Sequence, residues 1–474
     1  MKNRAFLTIV VLATLAYWAL LIFRIPLFQN LPWWFWDFRD TALSSPLFPI
    51  GSAGLAALVL AFVLTNPAKH KLNLTLLIVM GYTLHVSFGF VEGRGVDAFR
   101  ERLTKTGHID CIKVAAKGFS AWDLATRYEE YLEHTELWNY DYLKTKPPGT
   151  VLSFVLAERV TGFFSQPASE EVRLQRFVTL AAFLLPLLAT LAVIPLFFLS
   201  RLFLKKETAI LPVVLFLFTP SVNLISMYVD HFLLPFLCLL CVWLSAASVT
   251  RRNLYLVSVA GMLTFASTYT SFSMLALIPL CPLVMTGMWF TSDRANRSWK
   301  DLAQLVAAFL AVYIVMLVVF RIVLNYDMVL RFSKAIAAHE DIKSWAPGIH
   351  NVITFAFVDY VEFACGVGIP LAVVFLDQLS ASVQGIVRKD FDAIGLLSLA
   401  LGLILLGLGL FGKTKGETAR LWLFLIPLVC IVAAGRLSQR FQNKVPVVAV
   451  LIAILLFATA ILMKRYEDLW RAIA

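Results

Sequence analysis

Charge is what this 474-residue chain has least of. Asp, Glu, Lys and Arg make up 15% of it, against 60% hydrophobic residues, whereas a soluble globular protein carries about 25% charge. Too little polar material is present to cover a soluble surface. Cysteine is also scarce, at six residues. Cys238, Cys241, Cys281, Cys365 and Cys430 lie in or near apolar runs, and only Cys111 falls in a polar stretch. Cys238 and Cys241 have CxxC spacing, but two leucines separate them inside an apolar run, so they read as small core residues. A disulfide framework and a zinc signature are both missing. So are a P-loop, a GxGxxG and an HExxH, which leaves nucleotide-driven chemistry without a seat. There is no internal repeat and no low-complexity tract.

What the chain has instead is apolar runs near the roughly 20 residues that cross a bilayer. They are read at 5–23, 49–65, 73–91, 175–200, 209–226, 231–249, 254–271, 273–290, 302–323, 352–376, 392–411, 420–435 and 445–463. The pattern predicts an all-α polytopic membrane protein, a single domain over 1–474 with about thirteen spans. The first run follows Lys2 and Arg4. It is too long for a signal-peptide core and is read as a retained span. The net charge of +11 gathers in turns: Lys69 to Lys71, Arg201 to Lys206, Arg251-Arg252, Arg294 to Lys300, Arg388-Lys389 and Arg436 to Lys444. Basic turns belong in the cytoplasm. The charge is therefore a topology signal, and membrane lipid rather than nucleic acid is the expected partner. The alternate turns, which carry five of the seven histidines, then face outward.

One interval breaks the apolar pattern. Glu92 to Gly149 is polar and aromatic, with apolar residues recurring through it, so its composition is not that of a disordered segment. Long segments of this kind in compact proteins are usually functional. It is read as an extracytoplasmic cap of short helices. The cap ends in Lys146-Pro147-Pro148-Gly149, where two prolines fix a rigid turn and hold the lysine at headgroup level. The run that follows, 151–164, is too short to span and carries Glu158 and Arg159; it is read as an interfacial helix.

Three features together resemble the C-type membrane glycosyltransferases, such as the protein O-mannosyltransferases and the lipid A aminoarabinose transferases. These are an early outer loop, an acidic residue in its first half, and a Lys-Pro-Pro turn at its end. Ala338-His339-Glu340…Trp345 and Gly416-Glu417…Arg420-Leu421-Trp422 are similar to segments of bacterial members. The chain departs from the pattern in two ways. Its loop follows the third span rather than the first, and Asp110 stands without an adjacent second carboxylate. The resemblance implies a helical bundle in a bacterial cytoplasmic membrane, with its active face extracytoplasmic. It implies transfer of a sugar from a polyprenyl-phosphate-linked donor to a lipid, glycan or protein acceptor. Such transfer needs a base for the acceptor and cations for the leaving phosphate. Asp110 with His108 is the expected catalytic pair. Lys146, Arg420 and Arg127 are the expected phosphate-binding cations. Asp230, His231, His339, Glu340, Trp345 and Glu417 are the expected substrate contacts. The cofactor is left open: a divalent metal is compatible with this chemistry, and the sequence itself indicates none. The alternative reading is a transporter or flippase of lipid-linked saccharides, for which Asp359 and Glu362, on one face of a span, are the best midplane residues.

Overall fold

The computed structural model describes residues 3–32, 34–133, 141–163, 169–292, 298–343, 349–412, 414 and 416–468. It is an all-α membrane protein. Among the described residues, strand pairing is limited to Asp37–Phe38 against Glu467–Asp468. Among the described residues, ten helical stretches are long and apolar enough to cross a membrane. Asn3–Ile22, Leu47–Thr65 and His70–Phe90 come first. Leu423–Tyr466 is itself a hairpin of Ile426–Phe441 and Val445–Tyr466.

The bundle has two polar ends. At one end Asp377 receives Arg436 Nε at 2.5 Å and Arg440 Nη2 at 2.6 Å. Arg440 also lies 4.5 Å over the Phe6 ring. The basic turns at Lys69, Arg201, Arg251 and Arg388 all close helices that begin or end here. At the other end sits the 92–149 interval, folded into Val96–Thr104, Ile109–Ala116, Ala121–Thr126, Tyr128–Glu133 and Asp141–Lys144. The expected cap of short helices is present. Cys111, Ile112 and Val114 are fully buried beneath it, which explains its mixed composition: half of each short helix must seat on the bundle. Arg331 of Met328–Lys343, 3% exposed, pins the cap's edge through both Glu129 oxygens at 3.3 Å and the Lys144 carbonyl at 2.5 Å.

The expected 151–164 helix is Pro148–Gly162. The charge that interrupts its apolar run is a fastening. Glu158, 3% exposed, pairs with Arg173 at 3.1 Å and Arg176 at 3.0 Å on the neighbouring Glu170–Thr190 helix.

Two expected spans are broken. The run 209–226 forms Leu211–Leu217 and Pro220–Leu224 instead of one helix. Pro220 supplies no N–H and forces Thr219 into the extended region, as the residue before proline prefers. Asn223 Nδ2 donates to the Leu217 and Thr219 carbonyls at 2.9 and 3.0 Å, so the broken backbone is re-satisfied inside the protein. The run 352–376 is extended and bent. Ile349–Val367 and Ile369–Arg388 meet at Gly368, whose φ is +94°. A Cβ there would lie 2.3 Å from Leu456. A glycine with positive φ, two positions before Pro370, leaves no trace in hydropathy.

Candidate active site at the capped end

Five of the residues expected to carry chemistry meet at the capped end. His108, 1% exposed, precedes Ile109–Ala116. Its ring lies 4.2 Å from that of Tyr228 and 5.0 Å from that of Tyr142. Tyr142 Oη approaches His108 Nε2 at 3.0 Å, and Arg420 Nη1 approaches the same nitrogen at 3.2 Å. Guanidinium can only donate, so Nε2 is the acceptor and the ring is neutral. Burial, then the charges of Arg420 and Lys146, hold this imidazole well below its ordinary range. His108 is therefore a fixed acceptor for Arg420 rather than a proton carrier.

Arg420, 4% exposed, is the hub. Nη1 donates to Asp230 Oδ2 at 2.9 Å and Nη2 donates to Glu417. Its Nε, buried, has no partner among the described residues. Asp230 is brought in by a tight turn. Met227, buried, has φ +83° immediately before Tyr228 and Val229–Phe232. A non-glycine residue in that region is strained, and such strain collects at functional sites.

Lys146 closes the cluster. Its Nζ lies 4.6 Å over the Tyr142 ring and makes no ion pair among the described residues. Burial first, then Arg420, lower its pKa. The turn that holds it is built as the sequence suggests. Pro147 is extended (φ −78°, ψ 161°) and Pro148 opens Pro148–Gly162. Gly149 has a different role from the prolines: a Cβ there would lie 2.5 Å from the Tyr269 carbonyl oxygen and 2.8 Å from Thr270 Cα. Thr150 Oγ1 donates to the Thr270 carbonyl at 2.6 Å. The turn is thus clamped to the end of Leu254–Thr270. Gly149→Ala is expected to cost about 1–3 kcal/mol, because backbone and not a side-chain tip must move. A thermal-unfolding scan in detergent reads the loss, and an unchanged midpoint would show that the turn is free to shift.

Asp110 does not join the Arg420 network. It is half-buried, two positions beyond His108, and so lies on another side of the helix. Burial pushes its carboxyl up to about 6, opposed by Lys113 and reinforced by Asp141. Cys111, whose thiol burial pushes up to about 12, feels both Lys146 and Asp110, so the two charges flank it.

Other expected residues lie elsewhere. Arg127, expected as a phosphate ligand, is exposed and paired with Glu130, Nε to Oε2 at 2.8 Å. His231 faces away from Asp230. Its Nε2 meets the Val222 carbonyl at 2.8 Å and its ring lies 4.9 Å from His85 inside the bundle. Adjacent residues of a helix point about 100° apart, and here Asp230 turns to Arg420 while His231 turns to Val222 and His85. His339 and Glu340 are half-buried on Met328–Lys343, over two turns beyond the Arg331 anchor. Trp345 lies outside the described residues.

A second polar feature was not anticipated. A cavity of about 340 Å³ opens at the same end, lined by Arg39, Glu92, Arg94, Arg102, Lys464 and Glu467 among others. Glu92 receives Lys464, and Tyr17 Oη donates to Glu467 Oε2 at 3.3 Å. The second Glu467 oxygen is buried and has no partner among the described residues. Thr106 lines the cavity, and Tyr228, which stacks on His108, donates to the Arg102 carbonyl at 3.4 Å. One aromatic layer thus separates the cavity from the Arg420 cluster. Its charges come from both ends of the chain, and Glu92 reads in sequence only as the residue where a span ends.

No family model matches the chain, and no curated protein matches it. Among solved structures, it is similar to the archaeal oligosaccharyltransferase AglB from Archaeoglobus fulgidus in complex with an inhibitory peptide and a dolichol-phosphate. That match has a TM-score of 0.43 and 14% identity, and covers 68% of this chain and 47% of that one. A crystal structure of the Archaeoglobus fulgidus oligosaccharyltransferase with Zn and sulfate gives a TM-score of 0.40 and 17% identity, covering 68% and 45%. The chain spans about half the length of these proteins.

Proposed function

We propose that this protein is a membrane glycosyltransferase of a bacterial cytoplasmic membrane. It moves a sugar from a polyprenyl-phosphate-linked donor to an acceptor at the capped, extracytoplasmic end. The observation that carries this reading is the pair of unsatisfied donors at one membrane end. Among the described residues the Lys146 ammonium pairs with no carboxylate and lies over the Tyr142 ring, and the buried Arg420 Nε has no acceptor. Two cationic donors left open, beside an apolar bundle, suit the phosphate of a lipid-linked donor. Asp230, Glu417 and neutral His108 hold the arginine for that task without neutralising the lysine.

The residues support a displacement at the anomeric carbon. The bond from that carbon to the phosphate oxygen breaks, and the electron pair leaves with the phosphate, where Lys146 and Arg420 stabilise the growing charge. The acceptor oxygen forms the new bond and gives its proton to a carboxylate. Asp110 is our assignment for that base: it makes no ion pair among the described residues, and a carboxyl near 6 is poised close to working pH. The neighbouring cavity, with its paired charges and its unpartnered Glu467 oxygen, is the assigned seat for polar acceptor or sugar groups.

Asp359 and Glu362 do not favour the transporter alternative. Both carboxylates are spent on the 414–419 segment rather than offered to a pathway. Lipid-linked sugars extracted from a deletion strain and its parent test the proposal. Accumulation of a polyprenyl phosphosugar in the outer leaflet is expected; accumulation in the inner leaflet would point to a flippase. With Asp110 as base, purified enzyme should lose about tenfold in rate per pH unit below about 6, since the active carboxylate form is lost as pH falls through its pKa. A rate flat from pH 7 to 5 would remove Asp110 from that role.

A further inference from the structure

The segment that carries Glu417 and Arg420 is held from behind by two buried carboxylates. Asp359 and Glu362 are 0% and 2% exposed on Ile349–Val367. Asp359 Oδ2 accepts from Thr414 Oγ1 at 2.5 Å and Oδ1 from the Gly416 N–H at 3.3 Å. Glu362 Oε2 accepts from the Thr418 N–H at 3.0 Å and from Thr418 Oγ1 at 2.9 Å, and Oε1 from the Ala419 N–H at 3.3 Å. Gly366, on the same helical face, allows the approach: a Cβ there would lie 2.8 Å from Ala419 Cβ. Trp422, fully buried, packs on Phe363 at 5.6 Å between ring centroids.

An apolar face would pack this segment at less expense, because burying a carboxylate is costly unless it is fully hydrogen-bonded. What carboxylates provide is direction. Gly412 and Gly416 have φ of +64° and +68°, so the segment bends at residues with the widest conformational freedom. Its backbone N–H groups at 416, 418 and 419 are aimed at Asp359 and Glu362, and that leaves Arg420 one orientation toward Asp230 and His108. We infer that Asp359 and Glu362 are positioning residues which set the Arg420 guanidinium for its anionic ligand. The inference rests on the phosphate reading of Arg420 given above.

The test is binding of polyprenyl phosphate to the full-length protein in lipid nanodiscs. The variants are Glu362→Gln, Arg420→Gln and the double variant, with amide hydrogen exchange followed over 414–422. Glu362→Gln is expected to weaken binding about tenfold, through the loss of hydrogen bonds to a charged group. The double variant should bind no more weakly than Arg420→Gln alone, because one residue acts through the other. Exchange at Thr418 and Ala419 should accelerate in Glu362→Gln. In turnover, donor KM should rise while acceptor KM stays fixed. Thr418→Val keeps both carboxylates and removes one donor to them. It should give a smaller loss, again absent on an Arg420→Gln background, and so decides the matter where Glu362→Gln does not insert. Wild-type binding by Glu362→Gln and Thr418→Val, or losses that add to that of Arg420→Gln, would overturn the positioning role alone. Wild-type binding by Arg420→Gln would instead overturn the phosphate reading.

Discussion

Asp110→Asn is expected to reduce transfer by about 100- to 10,000-fold, the range for loss of a general base, while donor binding is kept. The substitution nearly conserves volume, and the side chain is half-buried and outside the Arg420 network, so the phosphate cations should stay in place. Asp123 and Asp141 are the internal controls. Asp123 sits in the first turn of Ala121–Thr126, where its N–H is capped by Ser120 at 3.0 Å. Asp141 pairs with Lys144 at 2.8 Å and is exposed. Their asparagine variants should stay within a few fold of wild type. Glu92→Gln is the sharpest rival, because Glu92 lines the cavity and faces Lys464. If Glu92→Gln is dead and Asp110→Asn active, the base sits in the cavity and the rest of the site stands.

Arg420→Gln should be damaging twice over. It leaves Asp230 and Glu417 without their shared cation, and breaking a buried pair in this way typically costs about 3–5 kcal/mol. It also removes a phosphate donor. The two effects separate in a second variant. Arg420→Gln combined with Asp230→Asn no longer buries the Asp230 charge and should recover part of the lost stability, with transfer still absent. Thermal unfolding and turnover of the same preparations read the difference. Recovery of transfer along with stability would make Arg420 a structural residue only. Lys146→Ala is the milder counterpart: it removes the contact with the Tyr142 ring and no ion pair among the described residues, so the fold should hold while donor affinity falls. Lys146→Arg should keep part of it, since charge is retained but donor shape is not.

Lys146, Asp230, Glu417 and Arg420 are legible in the sequence because each is a polar residue at the end of an apolar run, and in a bundle the ends of alternate runs must converge at one face. His108 lies inside the polar interval and is legible only beside Asp110. The cap was legible because its apolar residues recur among its charges. What stays hidden in the sequence depends on direction or distance. Arg127 sits in the same polar interval as Lys146, and only the fold shows that its side chain turns to solvent and Glu130. His231 reads together with Asp230 in the sequence, although neighbours on a helix diverge. Asp359 and Glu362 stand out in an apolar run, but nothing local says that their partners are backbone N–H groups some sixty positions on. The cavity joins Glu92 to Lys464 across 372 positions, and its polar residues each look like ordinary span ends. The breaks at Thr219-Pro220 and Gly368 fall inside runs that hydropathy alone reads as continuous.

Purified protein reconstituted with a polyprenyl phosphosugar carrying label in both the sugar and the lipid tests the central claim most directly. Transfer predicts that free polyprenyl phosphate appears in step with sugar on the acceptor, and that Arg420→Gln abolishes both. Intact donor that crosses the bilayer, with no polyprenyl phosphate released, would contradict it.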